Sequence, residues 1–312
     1  MSASRPDAPS AARPPVRRVI CVGHAALDRI YRIEAFPAQP TKVRALEHIE
    51  VGGGMAANAS VAIARLGGKV ELWSRVGDDS AGQIIKAGLK AEKVDVRYVQ
   101  QFEGARSSTS AIIVDDKGER LIVNQRDTNM PSSTSWLPLE RVKDADAVLG
   151  DVRWLEGLRA LFTRARANGV PTVLDADLGA REALPELLRL TDYAIFSAPS
   201  LREFQPDGSD AERLAKVLDL GCLHAGVTLG DQGYIWRERG GEGHVPAFPV
   251  DPVDTTGAGD AFHGTFALML AEGRPTPDCA RAAAAAAAAK CTRIGGRAGL
   301  PTRAELEAML VL

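Results

Sequence analysis

Four cysteines in 312 residues, Cys21, Cys222, Cys279 and Cys291, are too scattered for zinc: they form no Cys-x-x-Cys pair and have no matching His spacing. They read as reduced, packed thiols, which suits a cytoplasmic protein. No run of about 18 apolar residues occurs, which argues against a membrane-spanning helix. The net charge is only −2, so nothing global draws the chain to nucleic acid or an anionic membrane, and a small-molecule partner is the default. Two nucleotide motifs are also missing, the Gly-Lys-Ser/Thr ending of a Walker loop and an early Gly-x-Gly-x-x-Gly. There is no internal repeat of the kind that builds solenoids.

What remains is an ordinary globular composition, 45% hydrophobic and 25% charged. The length permits one large α/β domain or two smaller ones. Residues 1–16 carry arginines and prolines but no apolar centre, so they read as a disordered tail rather than a signal or an anchor.

From Arg17 onward, short apolar runs alternate with helical patterns. "RRVICVG" (17–23), "KVELWSRVG" (69–77), "DAVLGD" (146–151), "PTVLDAD" (171–177) and "DYAIFS" (192–197) predict strands. "MAANASVAIARLGG" (55–68), "SAGQIIKAGLKAEK" (80–93), "LEGLRALFTRARANG" (155–169) and "REALPELLRLT" (181–191) predict helices between them. This βαβ rhythm predicts a largely parallel sheet with helices on both faces. Two stretches break it. "SAIIVDDKGERLIVN" (110–124) predicts a hairpin turning near Gly118, and alternating segments within 29–51 suit neighbouring strands. Together, 29–51 and 108–125 predict a small β-sheet beside the main one, suited to a lid. The alanine run at 281–290 predicts a closely packed helix.

The chemistry concentrates in "DTTGAGDAFHG" (254–264). A helix beginning near Ala258 would present unpaired amides and partial positive charge, and Gly257 and Gly259 remove side chains that would block an anion. Asp260 is either an acid that favours the helix dipole or a base that takes a proton from an attacking hydroxyl.

This segment resembles the C-terminal signature of the PfkB, or ribokinase-like, sugar kinases, and "VGGGMAANASVAIARLG" (51–67) resembles their N-terminal signature. The resemblance covers the chain from about Arg18 onward and implies a three-layer α/β/α kinase domain over 17–312 with a small β lid. It implies transfer of the ATP γ-phosphoryl group to a sugar hydroxyl with Mg2+, and allows a monovalent cation. Asp260 would be the base, and the amides of Gly257, Ala258 and Gly259 the anion hole. Asp28, at the end of the first strand, would hold sugar hydroxyls, or merely cap a turn. Gly53, Gly54 and Asn58 would line the sugar, or be packing glycines and a helix-surface Asn. Thr228, Gly230 and Gly233 would lie along ATP, or form a plain hairpin turn. An exposed lid edge would suit a homodimer.

One departure concerns the metal. Where the family carries Asn-x-x-Glu, this chain has Ser197-Ala198-Pro199-Ser200, so any carboxylate must come from elsewhere, with Asp175 or Asp177 as candidates. Further stretches, among them "CVGHAALDRIY" and "GDVRW", resemble the sulfofructose kinases of the same family. That resemblance implies 6-deoxy-6-sulfofructose as the sugar, with Lys42, Asn124 and Arg153 on its sulfonate. Each of the three also reads as a surface or turn residue. Other PfkB sugars (fructose 6-phosphate, ketohexoses, 2-keto-3-deoxygluconate, ribose, nucleosides) and a non-catalytic sugar-binding regulator remain alternatives.

Overall fold

The computed structural model of the protein describes residues 16–117 and 119–311. Residues 1–15, which hold nearly all of the expected tail, and Gly118 at the expected hairpin turn lie outside the described residues. The chain begins with β1 (Arg18–Gly23), then β2 (Ala26–Arg32) and β3 (Glu47–Gly53). It continues through α1 (Met55–Arg65), β4 (Lys69–Gly77), α2 (Ser80–Ala91) and β5 (Val99–Phe102). The hairpin β6 (Ser108–Val114) and β7 (Arg120–Gln125) follows. Alternation resumes with β8 (Ala147–Asp151), α3 (Leu155–Ala167), β9 (Thr172–Ala176), α4 (Leu184–Arg189), β10 (Tyr193–Ser197), α5 (Ala198–Phe204), α6 (Asp210–Leu218) and β11 (His224–Thr228). β12 (Tyr234–Glu238) and β13 (Gly241–Val245) precede α7 (Ala258–Ala271), α8 (Thr276–Cys291) and α9 (Arg303–Val311).

Nine strands form the main sheet in the order β13-β12-β11-β10-β9-β8-β1-β4-β5. Its pairings are parallel from β11 to β5, while β12 and β13 add an antiparallel edge. The order reverses between β1 and β8, and ligands of open α/β sheets bind in the crevice beyond the carboxyl ends of strands at such a point.

Two cores sandwich the sheet. One gathers Ile63, Leu72, Phe262 and Phe266 with α1, α2, α7, α8 and α9; the other gathers Trp154, Phe162, Leu187 and Leu214 with α3, α4, α5 and α6. α7 is apolar nearly all round because it is enclosed, and each fully buried Phe there contributes about 1.5–3 kcal/mol. The alanines of α8 are mostly buried, and their small side chains let the helix close on its neighbours. Among the described residues, no helix is long and apolar enough to cross a membrane.

The second sheet has four strands in the order β3-β2-β6-β7. Asp28 belongs to it: the alternation resumes immediately after the break at His24 and Ala25, so this residue sits inside the lid strand β2 rather than at the end of β1.

Candidate active site

The switch point is organised by Asp151, the last residue of β8. Its carboxylate is buried and accepts from the amides of His24 (2.7 Å), Ala56 (2.9 Å) and Arg153 (2.8 Å). It thereby ties the end of β1, the start of α1 and the turn before α3 to one point. Sequence reasoning did not single it out, because its role depends on partners from three elements.

Gly257 precedes α7 in the left-handed region with φ 80°, and a Cβ there would lie 2.6 Å from the Gly296 carbonyl oxygen. Both constraints demand glycine. The Ala258 amide donates to Thr255 O at 3.1 Å, closing a tight turn, so the anion hole expected from Gly257, Ala258 and Gly259 needs correction at its middle member. The amides of Gly257, Gly259 and Asp260 have no acceptor among the described residues, and they form the open end of the helix.

Asp260 is half-buried, and Asn58 Nδ2 donates to its Oδ2 at 2.7 Å. Burial, aided by the negative charge of Asp175, raises its carboxyl to about 7 despite that hydrogen bond. Asn58 in turn accepts from Arg297 Nε at 2.9 Å, and Arg297 also donates to Gly53 O at 3.4 Å. Arg297 is buried, which lowers its guanidinium to about 10, while Glu92, Asp28 and Asp260 favour its charge. Sequence reading missed this residue entirely.

Behind Asp260 lie His263 and Asp175. His263 Nδ1 donates to Gly259 O at 2.7 Å, and Nε2 lies 3.3 Å from Ile195 O and 3.4 Å from Asp175 Oδ1. Burial and neighbouring acids push the Asp175 carboxyl well up, and burial pushes the His263 imidazole down.

The lid supplies the opposite wall. Asp28, Ser110 and Asn124 are register partners across β2, β6 and β7, and Asn124 Nδ2 donates to Ser110 Oγ at 3.0 Å. Burial raises the Asp28 carboxyl, opposed by Ser110 and Arg297. A Cβ on Gly53 would come within 2.2 Å of Asp28 Oδ2, so bare backbone lets β3 close on that carboxylate, while Gly54 caps α1.

Arg153 donates to Asp177 Oδ2 (3.0 Å) and Leu178 O (2.7 Å), and Arg126 reaches Arg153 O at 3.4 Å. Together with Arg75, which covers the Trp154 ring at 4.4 Å, these guanidiniums act on His24, whose imidazole drops to about 4, chiefly through burial. Neither Arg75 nor Arg126 has a carboxylate within 4.0 Å among the described residues. Lys42 makes no hydrogen bond or ion pair with Asn124 or Arg153 among the described residues. It is exposed in the loop between β2 and β3, whose neighbouring Thr41 and Val43 line an apolar groove with Tyr31, Ala111, Ile113 and Leu121.

Thr228 ends β11 beside Ser197, and Gly230 opens a short 3-10 turn. Gly233 packs against β13, where a Cβ would lie 2.1 Å from Val245 O. Among the described residues no three His, Cys, Asp or Glu side chains gather as a metal cage. Asp175 faces His263, and Asp177 already takes Arg153 and the Ser197 hydroxyl (3.1 Å). This donor set fits a Mg2+ that would be held mainly by ATP oxygens and water, with the partly exposed Asp177 as a candidate carboxylate.

Residues 16–303 match the sequence profile of the pfkB family carbohydrate kinases. The ribokinase of Bacillus subtilis strain 168 is 30% identical over 301 residues, covering 95% of this chain and all of that protein. Among solved structures, a protein from Agrobacterium tumefaciens provisionally named a ribokinase is 37% identical with a TM-score of 0.90, over 95% of this chain and 98% of its own. Arabidopsis thaliana ribokinase, solved with ribose and ATP, is 25% identical with a TM-score of 0.85, over 95% and 99%. The chain belongs to the pfkB family of carbohydrate kinases, ATP-dependent enzymes that phosphorylate a sugar hydroxyl.

Proposed function

We propose that this kinase acts on a small sugar with an anionic substituent, converting 6-deoxy-6-sulfofructose to its 1-phosphate. The observation that carries the reading is the arginine group around His24: among the described residues Arg75 and Arg126 have no carboxylate within 4.0 Å, and Arg153 pairs with the half-exposed Asp177. Unpaired guanidiniums suit a sulfonate, which accepts several charge-assisted hydrogen bonds. Asn124 adds an amide on the same side. Lys42 would contribute only after the lid loop moved.

In this scheme Asp28 accepts from sugar hydroxyls and leaves the reacting hydroxyl near Asp260. Asp260 takes its proton as the oxygen–phosphorus bond forms, the bond from the γ-phosphorus to the bridging oxygen breaks, and ADP leaves with that electron pair. The amides of Gly257, Gly259 and Asp260 stabilise the charge on the transferring group. Thr228 and Gly230 border the nucleotide, and a Mg2+ held with help from Asp177 would supply charge neutralisation there. The lid excludes water. A second copy is the proposed partner of the lid's outer face, where Leu121 and Val123 are exposed on the edge strand β7.

The names of the relatives favour a second reading, ribose. A coupled ADP-release assay with sulfofructose, fructose 6-phosphate, fructose and ribose separates the two. Preference for sulfofructose supports the proposal. Equal or better kcat/KM with an uncharged sugar overturns the anionic substrate and leaves the kinase intact. Preference for fructose 6-phosphate keeps the anion site and overturns the sulfonate.

A further inference from the structure

Lys290, in the last turn of α8, is fully buried and takes no part in the scheme above. Burying an ammonium is unfavourable unless its hydrogens find acceptors. Its Nζ donates to the main-chain oxygens of Asp254 (2.7 Å) and Arg293 (3.2 Å) and lies 4.0 Å from Asp254 Oδ2. Carbonyl and carboxylate oxygens around one small charge make the environment of a bound monovalent cation, here tethered by its own side chain.

The two carbonyls belong to the two loops that shape the phosphoryl cradle. Residues 254–257 lead into α7, and residues 293–297 run beside them, bringing Gly296 O against Gly257. Asp254 bridges the same loops, accepting from the amides of Thr256 (2.9 Å) and Gly295 (2.7 Å). The ammonium sits at this junction, and its hydrogen bonds go to the main chain of the two loops. Its influence runs through loop geometry, and small displacements of positioned groups have large effects on rate.

We propose that Lys290 is a positioning residue that acts as a tethered cation, locking both cradle loops and making dissolved monovalent ions unnecessary. The effect on turnover rests on the kinase reading above, whereas the caged cation itself does not.

The test compares the wild type with Lys290→Ala, which leaves the oxygens without their cation, and Lys290→Met, which fills the space without charge. Each is assayed in potassium, ammonium or tetramethylammonium chloride at equal ionic strength. The wild type should be equally active in all three. Lys290→Ala should lose about 100-fold in kcat in tetramethylammonium with little change in sugar KM. Potassium or ammonium should restore most of that loss and raise the melting temperature of Lys290→Ala alone. Lys290→Met should be low in every salt.

A wild type that needs potassium overturns the proposal, as does a folded Lys290→Ala that no ion rescues or stabilises. If Lys290→Ala folds in no salt, the wild-type series decides: equal activity supports the proposal and ion dependence overturns it. A wild type inactive on every sugar counts against the kinase reading, and the potassium-specific thermal shift of Lys290→Ala then decides the cation question without turnover.

Discussion

Asn58 Nδ2 donates to Asp260 Oδ2 at 2.7 Å across 202 residues of sequence. The contact joins the two glycine-rich segments, one at the start of α1 and one at the start of α7. Arg297 completes the chain by donating to the other end of the amide, at 2.9 Å. Asn58 both aims the carboxylate and favours its charged form, against a burial that has raised it to about 7. A base must be ionised to act, so activity falls as pH drops through that value. Asn58→Ala removes a donor to the charged form. The acid limb of the kcat/KM profile should move to higher pH, with a larger loss at pH 6 than at pH 9. An unmoved limb would separate Asn58 from the ionisation of Asp260.

Asp260→Asn should leave sugar and ATP binding in place, read by calorimetry, while kcat falls about 10²- to 10⁴-fold. The same variant carries a stability signature. The folded carboxyl titrates near 7 and the unfolded one near 3.8. The folded form therefore holds a proton that the unfolded chain has released. The stability this contributes is complete below about pH 4 and is lost as pH rises through about 7. Asparagine has no such dependence, so Asp260→Asn should melt higher than the wild type at pH 8, with the gain shrinking toward pH 4. A gain independent of pH would exclude Asp260 as its source.

Arg126 gives a cleaner test of the anion site than Arg153, which is also bonded to Asp177. Arg126→Ala should raise KM for the sulfonated sugar about 10- to 100-fold, the value of one lost hydrogen bond between charged groups. Turnover of ribose, with no anionic end, should hardly change. Equal losses on both sugars would assign Arg126 to supporting the lid.

The main strands and helices were legible because an apolar run or a 3.6-residue period constrains each locally. The α7 turn was legible for a similar reason, since a left-handed residue against Gly296 calls for glycine whatever else surrounds it. Partners of buried charges have no such local mark. In sequence, Lys290 ends an alanine run and looks like a charge on a helix face, and Arg297 follows two glycines as any loop arginine might. Their roles exist only once α8 and the following loop fold back onto α7. Lys42 has the residue type that suits an anion, and it stands exposed in the loop between β2 and β3.

One contact joins the lid to the loop that leads into α7. Arg120, first in β7, donates to Asp254 Oδ1 at 2.9 Å and to the Thr256 hydroxyl at 3.0 Å. Asp254 stays compensated without it, because Thr256, Gly295 and Lys290 remain around it. Arg120→Ala should therefore loosen the lid more than it disturbs the cradle. Closure matters because a phosphoryl group held by amides in an open site can pass to water as well as to sugar. The expected result is a raised sugar KM with ATP hydrolysis outpacing sugar phosphate formation, measured by comparing ADP release with product. ADP and sugar phosphate that still form one to one would mean that closure does not depend on the Arg120–Asp254 contact.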